Sequence, residues 1–355
     1  MKIKTEPIGS IPRPATLIEG MKAHAAGQLE EQDLNKLIES AIADTIKRFE
    51  ATGSPVITDG EQWKPSFATY PVAGIKGLDP NGVVIPFADG HTRQLPKITT
   101  SPFQYQVYTG AYLENAKKLT RLPVKQAVIA VSAISLLYPQ EGIEGYTQEQ
   151  FVNDLINEAE RDIRSALNGG AYCVQVDFTE ARLALKLDPS GNLLKSFIAL
   201  NNKVLTRFTT EERKKIGVHS CPGGDHDSTH SADISYADLL PLLFGLQAGN
   251  FYLEYAGEKD KSSVLAVIKE NLRPDQTVFL GVTNVINPKI ETPQAIRDII
   301  LEAAAFIPVS QIGTTDDCGF SPFADDTSTS RDIAFGKIKA RIDGTRLAEE
   351  VINKK

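Results

Sequence analysis

The sequence is poor in cysteine, methionine and tryptophan: its 355 residues include three Cys, two Met and one Trp. Three cysteines (Cys173, Cys221 and Cys318) are too few for a disulfide framework, so they are core fillers, nucleophiles or metal ligands. No run of about 18 apolar residues occurs, which excludes a membrane-spanning helix. The first ten residues are polar and lack the apolar stretch of a signal peptide, so the expected location is cytoplasmic.

The sequence also lacks an excess of positive charge. It has 38 Lys and Arg against 45 Asp and Glu, and its formal net charge is −7. This balance argues against sequence-independent binding to nucleic acid or to an anionic membrane surface. The 26 Gly and 20 Pro are scattered along the chain, as in an ordinary globular protein. A small-molecule partner is therefore expected.

Short β-branched runs alternate with helical stretches along the chain. A helical pattern follows Asp33 and stops at Gly53, and another runs from about Thr147 to Leu167 before a Gly-Gly pair. Alternation of this kind predicts parallel strands joined by right-handed crossovers. Seven strands are predicted, at residues 55–59, 124–131, 171–177, 216–221, 250–255, 277–283 and 310–314.

An extended segment at residues 95–99 is expected to supply the eighth strand. Eight strand–helix units over this length predict a (β/α)₈ TIM barrel, formed by residues 1–355 as a single catalytic domain. The region from Pro71 to Gly110 is rich in Pro, Gly and aromatic residues and lacks helical periodicity. We expect it to form an elaborated loop and hairpin over one face of the barrel.

Residues with metal-binding side chains stand at the predicted strand ends, where barrel enzymes build their active sites. His219 and Cys221 are separated by one residue, so an extended strand points both side chains to the same face. Glu254 and Cys318 follow two other strands, and the four residues together form a plausible tetrahedral zinc set. The alternative for His219 and Cys221 is an ordinary place in the core. Cys173 lies mid-strand and is expected to be a core residue.

These motifs resemble the catalytic barrel of cobalamin-independent methionine synthase. The resemblance rests on Ile8-Gly9-Ser10, Asp59-Gly60-Glu61, Asp177, His219-Ser220-Cys221, Leu253-Glu254 and Asp317-Cys318-Gly319, in this order over nearly the whole chain. In that family a zinc ion held by one His, two Cys and one Glu binds the thiol of homocysteine, whose sulfur then receives a methyl group. The resemblance implies a zinc-dependent methyltransferase that makes methionine. It assigns the zinc ligands to His219, Cys221, Glu254 and Cys318, and the homocysteine-binding residues to Ile8, Gly9, Ser10, Glu61 and Asp177.

The sequence departs from that family in two places. The complete methionine synthase has a second, amino-terminal barrel, and only the catalytic half is matched. Its histidine after the seventh strand, expected to protonate the folate leaving group, is replaced by Ile286. The methyl donor is therefore either a methylated folate or methylcobalamin, and a corrinoid protein remains an alternative source of the methyl group.

A second zinc family shares similar motifs, the epoxyalkane:coenzyme M transferases, also called 2-hydroxypropyl coenzyme M lyases. Its opening resembles Gly9-Ser10 followed by Arg13-Pro14, and its seventh-strand segment also lacks the histidine. Arg13 and Lys64 would suit a sulfonate thiol, whereas Glu61 and Asp177 would suit an ammonium group. The two carboxylates favour the amino acid thiol, homocysteine.

A polar cluster follows the His-x-Cys motif: Asp225, His226, Asp227 and His230. It is either a second metal site, a proton relay or a solvated loop over the barrel mouth, and the loop is favoured. Two further readings of the whole chain stay open. One is a barrel in which zinc is only structural, and the other is a metal-free relative of the decarboxylase type.

Overall fold

The computed structural model describes residues 1–354. Its strands are short, as is usual for a barrel built from strand–helix units. They are β1 (Lys4–Thr5), β2 (Leu78–Asp79), β3 (Val84–Pro86), β4 (Thr92–Gln94), β5 (Lys97–Ile98), β6 (Gln126–Ile129), β7 (Val174–Asp177), β8 (Ile216–Ser220), β9 (Gly224–Asp225), β10 (Ser228–Thr229), β11 (Asn250–Leu253), β12 (Thr277–Gly281) and β13 (Ile312–Thr315).

Seven of these strands form one parallel sheet in the order β1-β13-β12-β11-β8-β7-β6. Ile57 extends this sheet through a parallel bridge to Val124 next to β6. The segment after Ile57 also meets the segment after β1, because the Thr58 hydroxyl donates to the Gly9 carbonyl over 2.8 Å and the Ile11 N–H donates to the Gly60 carbonyl over 3.0 Å. The sheet thus curls round on itself, and the predicted TIM-barrel class is confirmed.

The prediction for the eighth strand is wrong. Residues 95–99 do not enter the barrel, because Lys97–Ile98 pairs antiparallel with Leu78–Asp79 in a separate two-stranded ladder. The eighth position belongs to β1, which pairs with Gly313 and Thr314 of β13. A two-residue strand is too short to show a periodic pattern in the sequence. Six of the seven other predicted strands are confirmed as strands, whereas at residues 55–59 only Ile57 joins the sheet, through its bridge to Val124.

The helices surround the sheet and follow most of its strands. The predicted helix after Asp33 is α2, which ends where Gly53 adopts a left-handed conformation with φ 77°. The α-helices are α1 (Ala15–Ala25), α2 (Glu31–Thr52), α3 (Thr109–Lys117), α4 (Val131–Ser135), α5 (Gln148–Asn168), α6 (Glu180–Leu187), α7 (Asn192–Leu205), α8 (Thr210–Arg213), α9 (Tyr236–Leu243), α10 (Lys261–Asn271), α11 (Pro293–Ala303) and α12 (Arg331–Ile352).

Helix α5 begins with a capping box in which Thr147 and Gln150 bond to each other's backbone N–H groups. Its predicted start and end are confirmed within one residue. None of the helices in residues 1–354 is both long enough and apolar enough to cross a bilayer.

The Pro- and Gly-rich region after Pro71 forms loops and two small antiparallel ladders, as expected. One ladder pairs β3 with β4, and we call residues 84–94 the roof hairpin. Its residues Ile85, Phe87 and Arg93 line the cavity that opens at the carboxyl ends of the barrel strands. The insertion therefore forms part of the wall of the candidate site.

Candidate metal and substrate site

Three predicted metal ligands come together at the carboxyl ends of the barrel strands. His219 lies at the end of β8, Cys221 follows that strand directly, and Cys318 stands in the loop after β13. One ligand atom from each lies within 4.8 Å of the others, and the two sulfur atoms are 3.1 Å apart. All three side chains are buried. The three side chains could together hold a metal ion through two sulfur donors and one nitrogen donor.

The His219 ring is oriented for metal binding. Its Nδ1 lies 3.2 Å from the Tyr252 carbonyl oxygen, so Nδ1 carries the proton and donates it to that carbonyl. Its Nε2 is buried without a hydrogen-bond partner in residues 1–354. A carbonyl that fixes the tautomer of a histidine is a regular partner of metal-ligating imidazoles. The unpartnered Nε2 beside two thiols therefore fits a metal ion.

The two thiols share their protons unequally. The hydrogen bond from Cys221, together with His219, holds the pKa of the Cys318 thiol well below its usual range despite burial. The same hydrogen bond raises the pKa of Cys221, and burial raises it further. Burial lowers the pKa of His219, but Cys318, Asp177 and the Tyr252 carbonyl together outweigh burial, so the net shift is upward. The cluster thus favours a thiolate at Cys318, and thiolates are the form of cysteine that binds metals.

Glu254, the fourth predicted ligand, does not lie in this cluster. Its Oε2 accepts a hydrogen bond of 2.6 Å from Arg182, which also bonds Glu258 over 2.8 Å. Burial and the nearby Asp317 raise the pKa of the Glu254 carboxyl, although Arg182 opposes them. The role of Glu254 as a ligand stays a prediction. Sequence reasoning missed Arg182, because a pair 72 residues apart along the chain leaves no local pattern.

Asp317 ties the Glu254 loop to the Cys318 loop. Its carboxylate accepts three backbone N–H bonds of 2.8 Å, from Tyr255, Ala256 and Gly257. These three residues follow Glu254 directly, and Asp317 precedes Cys318. The separation between the two predicted ligands is thus fixed by a single buried side chain.

A cavity of about 480 Å³ lies next to the metal cluster. Six of the nine predicted site residues line it, namely Ile8, Ser10, Glu61, Asp177, His219 and Cys318. Gly9 lies behind this wall, where a Cβ atom would come within 2.8 Å of a Glu61 carboxylate oxygen. The Ser10 N–H donates to no acceptor within residues 1–354. An unpaired backbone N–H beside a cavity is suited to receive a carboxylate.

Glu61 is held in an unusual backbone conformation, with φ 57°. Non-glycine residues with positive φ are uncommon and cluster at functional sites. Its carboxylate is buried and lies 3.4 Å from the Lys64 Nζ atom. The turn is braced by Asp59, whose carboxylate accepts the Glu61 N–H over 2.9 Å. The turn after Ile57 therefore presents the Glu61 carboxylate to the cavity at some cost in backbone strain.

Two further carboxyl groups line the cavity on the β7 side. Asp177 is paired with His219 in the β7–β8 ladder, and Gln175 donates to its Oδ1 over 2.6 Å. Burial raises the pKa of Asp177 to about 7. Glu180 lies three residues further on, and burial likewise raises its pKa to about 7 although Ser132 donates to it. Sequence reasoning did not single out Glu180, which stands one residue beyond the strand-to-helix turn.

The polar cluster after Cys221 forms a second group of metal-type donors, made of Asp225, His226 and Asp326. His226 and Asp227 adopt positive φ at the tip of the β9–β10 hairpin. Asp225 is fully buried, and Arg93 of the roof hairpin donates to both of its carboxylate oxygens. His230 lies apart from this group and lines the cavity. Arg93 therefore already supplies a positive charge to the buried carboxylate of this group, Asp225.

Two other residues that the sequence analysis discussed, Ile286 and Cys173, do not line the cavity. Ile286 is 37% exposed, stands in the turn after β12 and is not among the cavity-lining residues. Cys173 is buried in a small cluster with Ile8, Tyr252 and Phe279, as expected of a core cysteine. Its sulfur lies 3.3 Å from the Tyr252 hydroxyl and takes no part in the metal cluster.

The fold and the site together define a barrel enzyme with a candidate metal cluster beside a deep, acidic cavity. Comparison with known families then identifies the group: the family model "Cobalamin-independent synthase, Catalytic domain" matches residues 3–331. The chain belongs to this family and is a methyltransferase of that kind.

Individual relatives are distant but cover almost the whole chain. The methionine synthase of Saccharolobus solfataricus is 22% identical over 99% of this chain and 97% of its own length. That of Pyrococcus horikoshii is 20% identical over 99% and 94%. A solved structure of a B12-independent methionine synthase from Shewanella sp. W3-18-1, in complex with selenomethionine, superimposes with a TM-score of 0.79 at 17% identity, covering 100% of both chains. At this identity the structural similarity shows the fold.

Proposed function

We propose that this protein uses zinc to transfer a methyl group to the thiol of homocysteine, which gives methionine. The observation that carries the proposal is the pair of thiols beside an unpartnered His219 Nε2, at the edge of a cavity lined by carboxylates. The names of the methionine synthase relatives support the same product.

His219, Cys221 and Cys318 would hold the zinc ion, with Glu254 as the predicted fourth ligand. A zinc ion bound there lowers the pKa of a substrate thiol, so that the thiolate, the nucleophilic form, exists at neutral pH. The chain contributes orientation: the Tyr252 carbonyl fixes the imidazole and Asp317 fixes the spacing of the loops. Catalysis of this kind requires a position open to substrate, and the cavity beside Cys318 offers one.

The amino acid part of homocysteine is proposed to bind through opposite charges and backbone donors. Glu61 and Asp177 face the cavity and would pair with the substrate ammonium. That contact would favour the ionised form of Asp177, whose pKa is raised to about 7 mainly by burial. The Ser10 N–H would receive the substrate carboxylate.

The alternative substrate, a sulfonate thiol such as coenzyme M, fits these charges poorly. Arg13 is buried and donates to the carbonyls of Glu61, Lys64 and Ser321. Lys64 is buried as well, and its Nζ donates to the Ala127 carbonyl over 2.9 Å. Neither cation is available to a sulfonate, and neither lines the cavity. The acidic wall therefore favours a thiol that carries an ammonium group.

The methyl donor is proposed to be a methylated folate, with methylcobalamin as the alternative. A cavity of about 480 Å³ can enclose a pterin ring, whereas a complete corrinoid is far larger and would have to react from outside the roof hairpin. Ile286 lies outside the cavity, so its substitution for a histidine carries little weight for the donor. No observation supports a corrinoid protein partner, and none is proposed. The cytoplasmic location and the single domain over residues 1–355 stay predictions.

An assay of zinc-loaded protein tests the proposal. Homocysteine is offered with methyltetrahydrofolate as mono- and triglutamate and with methylcobalamin, and coenzyme M is offered with an epoxide. Methionine should form from homocysteine and a folate in the wild type and not in Cys318→Ser. If product forms from coenzyme M and the epoxide but none forms from homocysteine with any donor, the proposed substrate is contradicted.

A further inference from the structure

Arg93 joins three separate segments at the mouth of the barrel. It lies on the roof hairpin, and its guanidinium donates to both carboxylate oxygens of Asp225 and, over 2.9 Å, to both of Asp325. The guanidinium also lies 4.1 Å from the centre of the Phe323 ring. The five N–H donors of arginine suffice to contact both oxygens of two carboxylates, whereas the three of lysine do not.

Its two carboxylate partners stand on the loops that carry the cysteines of the metal cluster. Asp225 is four residues beyond Cys221, and Asp325 is seven residues beyond Cys318. These loops belong to different strands of the barrel, β8 and β13, which are not neighbours in the sheet. Arg93 is thus a direct link between the two cysteine loops.

A second line of contacts leads from the roof hairpin to the backbone beside Cys221. The Ala88 N–H donates to the Thr229 carbonyl, and the His91 Nε2 lies 3.0 Å from the Asp225 carboxylate. Phe87 stacks on His91 with ring centres 4.3 Å apart and meets His230 edge-on at 5.5 Å. The His230 ring covers Gly223, where a Cβ atom would come within 1.8 Å of it. The hairpin therefore packs through His230 onto the residues next to Cys221.

We propose that Arg93 is a positioning residue that holds the two cysteine loops and the roof hairpin as one unit, so that metal affinity and closure of the cavity depend on each other. The inference rests on the proposed metal site and adds a residue that is not one of the proposed metal ligands. Asp225 is fully buried and so needs its cation, while Asp325 is 60% exposed and is held by Arg93 at the surface. Loss of Arg93 would remove this link between the two cysteine loops and weaken the attachment of the hairpin to both.

The coupling works in both directions. If the clamped hairpin strengthens metal binding, metal binding must stabilise the clamped hairpin by the same free energy. Bound zinc should therefore slow hydrogen exchange at residues 84–94 and 224–229, although none of these residues is a proposed ligand. A hairpin that only covers the barrel would not respond to the metal.

The test compares Arg93→Ala and Arg93→Lys with the wild type and with Arg48→Ala. Arg48 makes a similar double ion pair, with Asp44 and Asp332, and serves as the matched control. Zinc affinity is measured by chelator competition, and ligand geometry by the absorption spectrum of the cobalt-substituted protein. Removal of residues that orient metal ligands typically costs about 10- to 100-fold in affinity. We expect a loss of roughly tenfold or more in Arg93→Ala, a smaller loss in Arg93→Lys and none in Arg48→Ala.

Asp325→Asn keeps the proposal testable if Arg93→Ala fails to fold, since this exposed carboxylate can be changed without disturbing the core. It should lower zinc affinity less than Arg93→Ala and shift the cobalt spectrum. In the Arg93 variants, zinc should no longer slow exchange in the roof hairpin. Wild-type affinity, spectrum and zinc-dependent protection in these variants would overturn the proposal. A wild type that binds no zinc would instead overturn the metal site itself.

Discussion

Two groups of metal-type donors lie in the loops of the barrel mouth. They differ in whether another side chain of the protein already pairs with their donor atoms. The thiol cluster of His219, Cys221 and Cys318 is buried and leaves the His219 Nε2 without a partner. The carboxylate cluster of Asp225, His226 and Asp326 is partly exposed, and Arg93 occupies both oxygens of Asp225. Donor residues alone therefore do not identify a metal site.

A similar contrast separates the buried carboxylates in and around the cavity. Glu254 and Asp225 each have an arginine partner, whereas Asp177 and Glu180 lie in the wall with no cation bonded to them. Burial without a nearby cation raises the pKa of a carboxyl group, because burying the ionised form costs free energy. Of the two cation-free carboxyls, Asp177 is the proposed partner of the substrate ammonium, together with Glu61.

The largest expected effect separates the two donor clusters. Cys318→Ser removes a sulfur donor and should lower zinc affinity at least about a hundredfold, a loss of ~2.7 kcal/mol. The zinc content of the purified protein should fall from about one ion per chain towards zero. Asp326→Asn, the matched change in the carboxylate cluster, should leave zinc content unchanged. Equal zinc loss in both variants would show that the wrong cluster has been assigned to the metal.

The next effect concerns the cation-free carboxyl of Glu180. Its pKa is raised from an ordinary value near 4.5 to about 7, so between these pH values the folded protein keeps a proton that the unfolded chain has released. Stability contributed by this proton is complete below pH 4.5 and is lost as the pH rises through 7. Glu180→Gln cannot ionise, so its stability relative to the wild type should rise by up to about 3 kcal/mol across this window.

Urea unfolding of both proteins at pH 5 and at pH 7.5 measures this difference. A free-energy difference that stays constant between the two pH values would mean that Glu180 ionises normally in the folded protein. Glu114→Gln is the control, because Glu114 lies on the exposed surface of α3.

The smallest expected effect concerns substrate charge. Asp177→Asn should raise the KM for homocysteine about tenfold, because a charge-assisted hydrogen bond to the ammonium is lost. A thiol acid that lacks the amino group should react equally well, though slowly, with the wild type and the variant. If the variant loses activity equally with both thiols, Asp177 does not bind the ammonium group and instead helps to orient the metal cluster.

Much of the barrel could be predicted from the sequence, because most of its strands are apolar runs that end in polar residues. The exception, β1, spans two residues and gains its place by pairing with β13. The position of His219 and Cys221 followed from strand periodicity, and Cys318 from the rule that sites lie at strand ends. Arg93 and Arg182 could not be found in this way, since their partners lie 132 and 72 residues away along the chain.

X-ray absorption at the zinc edge tests the central claim most directly, in zinc-loaded protein with and without homocysteine. Without substrate, the first shell should hold two sulfur atoms, from Cys221 and Cys318, beside nitrogen or oxygen neighbours. With homocysteine the sulfur count should rise to three, and it should stay at two when a thiol-free analogue such as homoserine is added. A count that remains at two in the presence of homocysteine would contradict thiol activation at this site.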